Sequence, residues 1–405
     1  MNLPSRLLPR RSSHSLFAVR CSLFLLLLTG CQSARVIDPM RAIWVTRGDY
    51  RTPADVNAIV QNSADAGFNA VLFQVRGNGT AFYRSEIEPW AEELTRGSAS
   101  DDPGWDPLQT AIDAARAAGV ELHAWINVMP AWRGTKPPSN PKQLYNTHPD
   151  WFWYDQNGKR QELTSFYVSL NPCLPEVRQY LTEVSREVAT KYDIDGLHLD
   201  YIRFPNEPPA TPRGSGIDYP RDAKTLELYA AATGNKPDDD KAAWNAWRTE
   251  QVNTLVSDIR GALREARPRA VLTAACGAKR ANGLTHFQDG YAWLDRGSVD
   301  AVILMNYTPD IETFSARLEP WLTDRPKARV VPGLWFARKK GADEAERIAE
   351  VAQEIQHSRE KTGDFCVFSY SALFDSTDQE LNPQTEETRK LRALRREKLI
   401  PVIRG

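Results

Sequence analysis

The chain alternates short apolar runs with one-faced amphipathic stretches along most of its length. Eight runs predict strands, at residues 42–46, 70–75, 121–126, 196–201, 270–275, 301–306, 328–334 and 365–370. Each is largely apolar and rich in Val, Ile, Leu or aromatic residues, the pattern of strands covered on both faces. Between them runs a helical period. Val56, Ile59, Val60 and Ala64 fall at i, i+3, i+4 and i+8. Val177, Leu181, Val184 and Val188 keep the same stripe, as do Val252, Leu255, Val256, Ile259 and Leu263, and then Ile348, Val351, Ala352 and Ile355. Such helices pack one face onto a sheet. Eight strands alternating with helices predict a (β/α)8 TIM barrel. A doubly wound open sheet is the alternative, but no G-x-G-x-x-G follows the first strand.

Connection lengths point the same way. Helix-to-strand turns are short, as at Ala66-Gly67-Phe68, Ala118-Gly119-Val120 and Thr362-Gly363-Asp364. Three strand-to-helix connections are long, at residues 76–106, 127–175 and 204–240. Connections of that length usually carry function, and in a barrel they share the C-terminal face where active sites lie. They hold Trp90, Trp105, Trp132, Trp151, Phe152, Trp153, Tyr154, Phe166 and Tyr167. Such rings either stack on sugars or form a local core for the loops. Pro205, Pro208, Pro209, Pro212 and Pro220 within 204–240 predict an extended arm.

Composition narrows the class. Of 405 residues, 41% are hydrophobic and 25% charged, enough apolar content for a packed core. The 51 basic and 52 acidic residues leave a net charge of −1, so no nucleic-acid partner is expected. The first thirty residues read as a secretory signal: Arg6, Arg10, Arg11 and Arg20, then an apolar run too short to span a membrane, then small residues. Leu28-Thr29-Gly30-Cys31 resembles a bacterial lipobox, which implies cleavage before Cys31 and a lipid on its thiol. Gln32 resembles an outer-membrane sorting signal. The expected layout is a signal at 1–30, a tether at 31–38, a barrel at 39–380 and a C-terminal helix or tail at 381–405. The protein is then an outer-membrane lipoprotein facing the periplasm or the surface. Losing four arginines takes the formal charge to −5. Cys173, Cys276 and Cys366 remain as an odd, widely spaced set, which is no disulfide framework.

The run Asp195-Gly196-Leu197-His198-Leu199-Asp200-Tyr201-Ile202-Arg203-Phe204-Pro205 carries most chemistry. Side chains alternate along a strand, so Asp200, His198 and Gly196 share the inner face and Leu197 and Leu199 the outer. A carboxylate at the C-terminal end of a barrel strand reads as catalytic; the alternative is a structural carboxylate paired with Arg203. Asp195 opens the strand and reads as structural. Other strand ends add Gln74, Arg76 and Asn78, then His123, Trp125 and Asn127, then Asn306 and Tyr307, then Trp335. Each is equally well explained as a satisfied hydrogen bond of the barrel mouth. The five histidines beyond the expected signal are scattered and give no metal-site spacing, and neither a phosphate loop nor a G-x-S-x-G elbow is present. No metal and no cofactor are expected.

Phe73-Gln74-Val75-Arg76-Gly77-Asn78-Gly79, His123-Ala124-Trp125-Ile126-Asn127 and the 195–205 run together resemble the bacterial glycosyl hydrolase-like family 10, in order over residues 39–375. The resemblance implies a (β/α)8 glycosidase, often a lipoprotein, acting on peptidoglycan strands or N-acetylglucosamine polymers. It maps the family's acidic residue onto Asp200. Against the Asp-x-x-Asp-x-Asp-x-Glu strand of family 18 chitinases, Asp195 and Asp200 match, but His198 and Ile202 replace the second acid and the glutamate.

The expected activity is hydrolysis of O-glycosidic bonds in an envelope glycan, with Asp200 as general acid in a water-poor mouth that keeps it protonated. His198 is expected to orient it from below. Substrate contacts are expected from Gln74, Arg76, Asn78, His123, Trp125, Asn127, His198, Arg203, Asn306, Tyr307 and Trp335. Glycoside hydrolysis needs a second carboxylate, and Glu86, Glu162, Glu207 and Asp310 compete for that role. A non-catalytic glycan-binding barrel and a metal-dependent glycan deacetylase are the alternatives.

Overall fold

The computed structural model describes residues 36–95, 102–204, 217–336, 343–376 and 385–405. The expected signal and Cys31 lie outside the described residues. Ten strands form among the described residues: β1 Arg41–Val45, β2 Ala70–Arg76, β3 Glu121–Asn127, β4 Pro130–Arg133, β5 Tyr167–Ser169, β6 Gly196–Asp200, β7 Val271–Gly277, β8 Ala301–Met305, β9 Val330–Trp335 and β10 Phe365–Phe368. Eight of them close a parallel barrel in the order β1-β10-β9-β8-β7-β6-β3-β2. These are the eight predicted strands, with ends displaced by no more than two residues. Strands β4 and β5 form a separate antiparallel ribbon inside the long β3 connection.

The helices form where the apolar stripe and the caps agree. Pro53–Ala66 begins at Thr52, whose side chain accepts from the Asp55 amide while Asp55 returns the bond. It ends at Gly67, whose φ of +97° suits a residue without Cβ. Val56, Ile59 and Val60 are its buried stripe. The 204–240 segment departs from the extended arm expected. Ala223–Thr233 within it is α-helical, capped by Asp222 and Gly234, with Tyr229 buried against Trp244. Local capping outweighed the proline count, because five of the prolines precede the helix and Pro237 follows it. The last helix, Glu386–Arg404, packs on the barrel. Its Leu399 and Ile403 are buried, and Arg392 and Arg395 donate to the carbonyls of Ser371 and Ala372. Among the described residues, no helix is long and apolar enough to cross a membrane.

Two cores share the fold. The larger lies between strands and helices and takes Leu197 and Leu199. The smaller fills the barrel with Met40, Ala42, Trp44, Ala70, Leu72, Trp125, Ala301, Ile303, Val331 and Cys366. Inward glycines make room for inward rings. A Cβ on Gly333 would lie 2.7 Å from Trp44, and one on Gly196 would lie 2.5 Å from His123. Large and small residues thus interlock, leaving a packed interior rather than a pore.

Candidate active site

A cavity of about 730 Å³ opens at the C-terminal mouth of the barrel, within the size range of small-ligand sites. The β1, β2, β3 and β6 ends contribute Thr46, Arg47, Gly48, Arg51, Gln74, Asn78, Trp125, Asn127, Asp200, Tyr201 and Arg203. The ribbon and its loop add Arg133, Gly134, Ser165 and Tyr167. Glu93, Met305, Tyr307 and Phe368 complete the wall.

Asp200 stands at the end of β6 and is 7% exposed. Its Oδ1 accepts the Tyr201 amide at 2.6 Å and Arg203 Nη1 at 3.2 Å, while Oδ2 takes no hydrogen bond from a described residue. Tyr201 has φ +47°, a left-handed conformation uncommon for a bulky residue. It is held there by its bond to Asp200, by Tyr167 edge-on at 5.0 Å and by the Arg203 guanidinium 4.3 Å over its ring. The mouth expected around Asp200 also brings the Arg203 guanidinium against its Oδ1.

His198, one layer below, was expected to orient Asp200 and makes no hydrogen bond to it. Its Nε2 accepts from Trp44 Nε1 at 3.1 Å, which places the proton on Nδ1, 2.9 Å from Thr273 Oγ1. Burial, and then the charge of His123, pushes its pKa down to about 3, so it is a neutral strut. His123 is also enclosed, beside Gly196 at the barrel floor with Nε2 3.1 Å from Glu121. Neither histidine lines the cavity.

Three further expected contacts fall elsewhere. Arg76 is fully buried: it grips Glu88 at 2.7 and 2.8 Å and the carbonyls of Asn127, Val128 and Pro130, tying the β2 loop to the β3 loop. A β-bulge between Gln74 and Arg76 shifts the pairing there, so the strand alternation did not carry Arg76 to the mouth. Asn306 is buried and donates to the Phe314 carbonyl. Trp335 stands beside the cavity, 44% exposed, with its ring 5.7 Å from Tyr307.

The remaining expected residues meet at the cavity. Gln74 Oε1 accepts the Arg47 amide, leaving Nε2 without a described partner. Asn127 joins Trp125 Nε1 to the Gly77 carbonyl. Tyr307 packs among Trp44, Trp335 and Phe368 and makes no hydrogen bond to a described residue through its hydroxyl. Its pKa lies well above the usual phenol value, first from burial and then from the charge of Asp200. Most loop aromatics serve the local core: Phe152 and Trp153 are buried, and Trp153 packs on Phe204 at 4.2 Å.

The second carboxylate of the cavity is Glu93, which the sequence did not single out. It sits on the short helix Glu92–Thr95, with Oε1 3.5 Å from Arg47 Nε. Glu86 is instead held by exposed Lys191, which draws its carboxyl below the usual range. Glu162 pairs with Lys159, Asp310 caps the helix Ile311–Asp324, and Glu207 lies outside the described residues. Arg47, Arg51 and Arg133 were missed too. Nothing periodic marks them; Arg47 fits because Gly77 leaves its guanidinium a place where a Cβ would lie 2.5 Å away.

The profile of the family described as Glycosyl hydrolase-like 10 matches residues 39–335, a span that runs from the residues before β1 to the end of β9 and holds every candidate contact. The chain belongs to this family. Within the glycosyl hydrolase-like 10 frame, the glycosyl hydrolase DigH of Escherichia coli is 28% identical over 315 residues, covering 67% of this chain and 66% of that relative. The chain thus spans just under two thirds of that relative's length. The glycosyl hydrolase YngK of Bacillus subtilis is 28% identical over 255 residues, covering 58% of this chain and 45% of the relative. Two solved structures share the barrel fold of this family member. The PgaB (BpsB) glycoside hydrolase domain from Bordetella bronchiseptica has a TM-score of 0.60 at 14% identity, covering 87% of this chain and 98% of its own. The catalytic domain of β-amylase from Paenibacillus polymyxa has a TM-score of 0.59 at 12% identity, covering 92% and 100%.

Proposed function

We propose that the chain is a glycoside hydrolase that cleaves O-glycosidic bonds of a cell-envelope glycan, peptidoglycan strands or an N-acetylglucosamine polymer. The observation that carries this reading is the half-committed carboxylate of Asp200, pinned at Oδ1 and open at Oδ2 within a cavity that also holds Glu93. The names of the relatives, glycosyl hydrolases both, support it.

In this reading Asp200 protonates the leaving oxygen from Oδ2. Arg203 and the Tyr201 amide then stabilise the carboxylate left behind, so the ion pair assists proton release. Glu93 is the second carboxylate that such hydrolysis needs. Gln74 Nε2 and the Tyr307 hydroxyl, both without described partners, contact sugar hydroxyl or acetamido groups. The deacetylase alternative lacks a donor set: among the described residues no three His, Cys, Asp or Glu side chains group as metal ligands.

The anchor belongs to the same proposal: lipidation of Cys31 retains the enzyme at the outer membrane, and Cys31→Ala releases it to the soluble fraction. The activity is tested by incubating purified glycan strands with protein and counting new reducing ends, with products identified by mass spectrometry. Wild type generates new ends and Asp200→Asn generates about 10²-fold fewer. Glycan binding without new ends would instead make the chain a binding barrel.

A further inference from the structure

The cavity carries an unbalanced charge. Among the described residues, Arg47, Arg51, Arg133 and Arg203 face it against the acids Asp200 and Glu93, two positive charges in excess. The whole chain is at −1, so this excess is local. Both acids are already engaged, Asp200 by Arg203 at 3.2 Å and Glu93 by Arg47 at 3.5 Å. Arg51 and Arg133 have no carboxylate partner among the described residues. Their bonds go to carbonyls: Arg51 Nη1 to Arg47 and Tyr50 at 2.8 and 2.7 Å, and Arg133 Nε to Ser165 at 2.9 Å. Those bonds fix the guanidiniums and leave their charge unanswered.

Tyr167 gathers two of these arginines into one wall, and Arg51 lines the same cavity. The Arg47 and Arg133 guanidinium carbons each lie 5.9 Å from its ring centre, and Arg47 Nη1 donates to its hydroxyl at 3.1 Å. Like charges held together in a partly enclosed cleft repel one another, and the cleft focuses their field onto whatever enters. An anion there gains charge-assisted hydrogen bonds from planar donors suited to carboxylates. A cationic polymer of free glucosamine meets the opposite field.

Resting on the glycosidase reading, the geometry points to a subsite for an acidic substituent of the sugar chain, held by Arg51 and Arg133 on the Tyr167 wall. The group is a carboxylate, carried either as a uronic acid or as a carboxyalkyl ether on an amino sugar.

Two matched pairs of oligosaccharides test this: a carboxyalkyl-ether amino-sugar strand with its methylamide, and an oligouronate with its carboxyl-reduced form. Dissociation constants and reducing-end kinetics are measured for wild type, Arg51→Gln, Arg133→Gln and Arg133→Lys at low and high salt. Wild type prefers the acidic member of one pair by about tenfold or more, through KM rather than kcat, and salt erodes the preference. That pair identifies the source of the carboxylate. In Arg133→Gln the preference shrinks several-fold, and Arg133→Lys recovers part of it. Because Arg51 also braces its own loop, Arg51→Gln is read only if its melting temperature matches wild type; Arg133 is exposed and carries the test alone. Equal wild-type affinity for acidic and neutral members overturns the subsite even when both are cleaved, and the hydrolase reading then survives. A preference without cleavage keeps the subsite and sinks the hydrolase reading. A preference untouched in Arg133→Gln overturns the residue assignment.

Discussion

Arg203 Nη1 meets Asp200 at Oδ1, 3.2 Å away, and leaves the other oxygen of the same carboxylate to the cavity. One oxygen is therefore structural and the other available for chemistry. If Arg203 stabilises charge formed as the proton leaves, Arg203→Gln lowers kcat by about tenfold with KM nearly unchanged. A change confined to KM would make Arg203 a binding residue only.

Glu93 and Glu86 separate by environment. Glu93→Gln removes the second carboxylate of the cavity and cuts turnover by about 10²-fold. Glu86 lies exposed on Lys191, outside the cavity, and Glu86→Gln keeps wild-type turnover. Reducing-end assays on both variants decide the matter, and the opposite ranking would return the role to Glu86.

His198 predicts a pH dependence of stability. Its folded pKa of about 3 lies below its unfolded value of about 6.5, so below pH 6.5 the unfolded chain binds a proton that the native state refuses. Its contribution is complete above pH 6.5 and is lost as pH falls toward 3. Asp364 and Glu354, raised mainly by burial to about 6 and about 7, act oppositely: they favour the native state as pH falls through those values. A His198→Asn variant isolates the first effect. Its urea midpoint drops less between pH 7 and pH 4.5 than that of wild type; equal slopes would remove His198 from the account.

Arg76 and Glu88 form a buried ion pair with both side chains fully enclosed. Glu88→Gln leaves a guanidinium uncompensated and costs about 3–5 kcal/mol. Urea unfolding measures this, and a loss under about 1 kcal/mol would mean that the three carbonyl partners suffice.

Gly333→Ala places a methyl against Trp44 and the Leu304 carbonyl inside the barrel. Backbone cannot step aside as a side chain can, so the variant loses at least the 1–3 kcal/mol of an overpacked core. Unchanged thermal stability would show the interior looser than its contacts imply.

The barrel was legible because its signals are local and repeated. Continuous apolar runs, short Gly turns and four helical stripes each report the same alternation. Asp200 was legible for a related reason, since strand alternation and the end of the run fixed its side. The signal fades where the chain leaves regular structure. Arg76 sits past a bulge, so counting by two gave the wrong environment. His123 and His198 alternate correctly but lie one or more layers below the mouth, a depth that sequence spacing does not encode. Glu93, Arg51 and Arg133 come from a short helix, a loop and a ribbon, and only tertiary folding brings them to one wall.

The Trp44–His198–Thr273 chain of hydrogen bonds closes the barrel beneath Asp200. The interior around it is filled with side chains, and its imidazole is neutral, with a pKa pushed down to about 3. If the chain hydrolyses glycan as proposed, the water therefore arrives from the same side as the sugar. A bound chain that sealed the mouth would then starve its own cleavage, so a productive substrate must leave a gap beside itself.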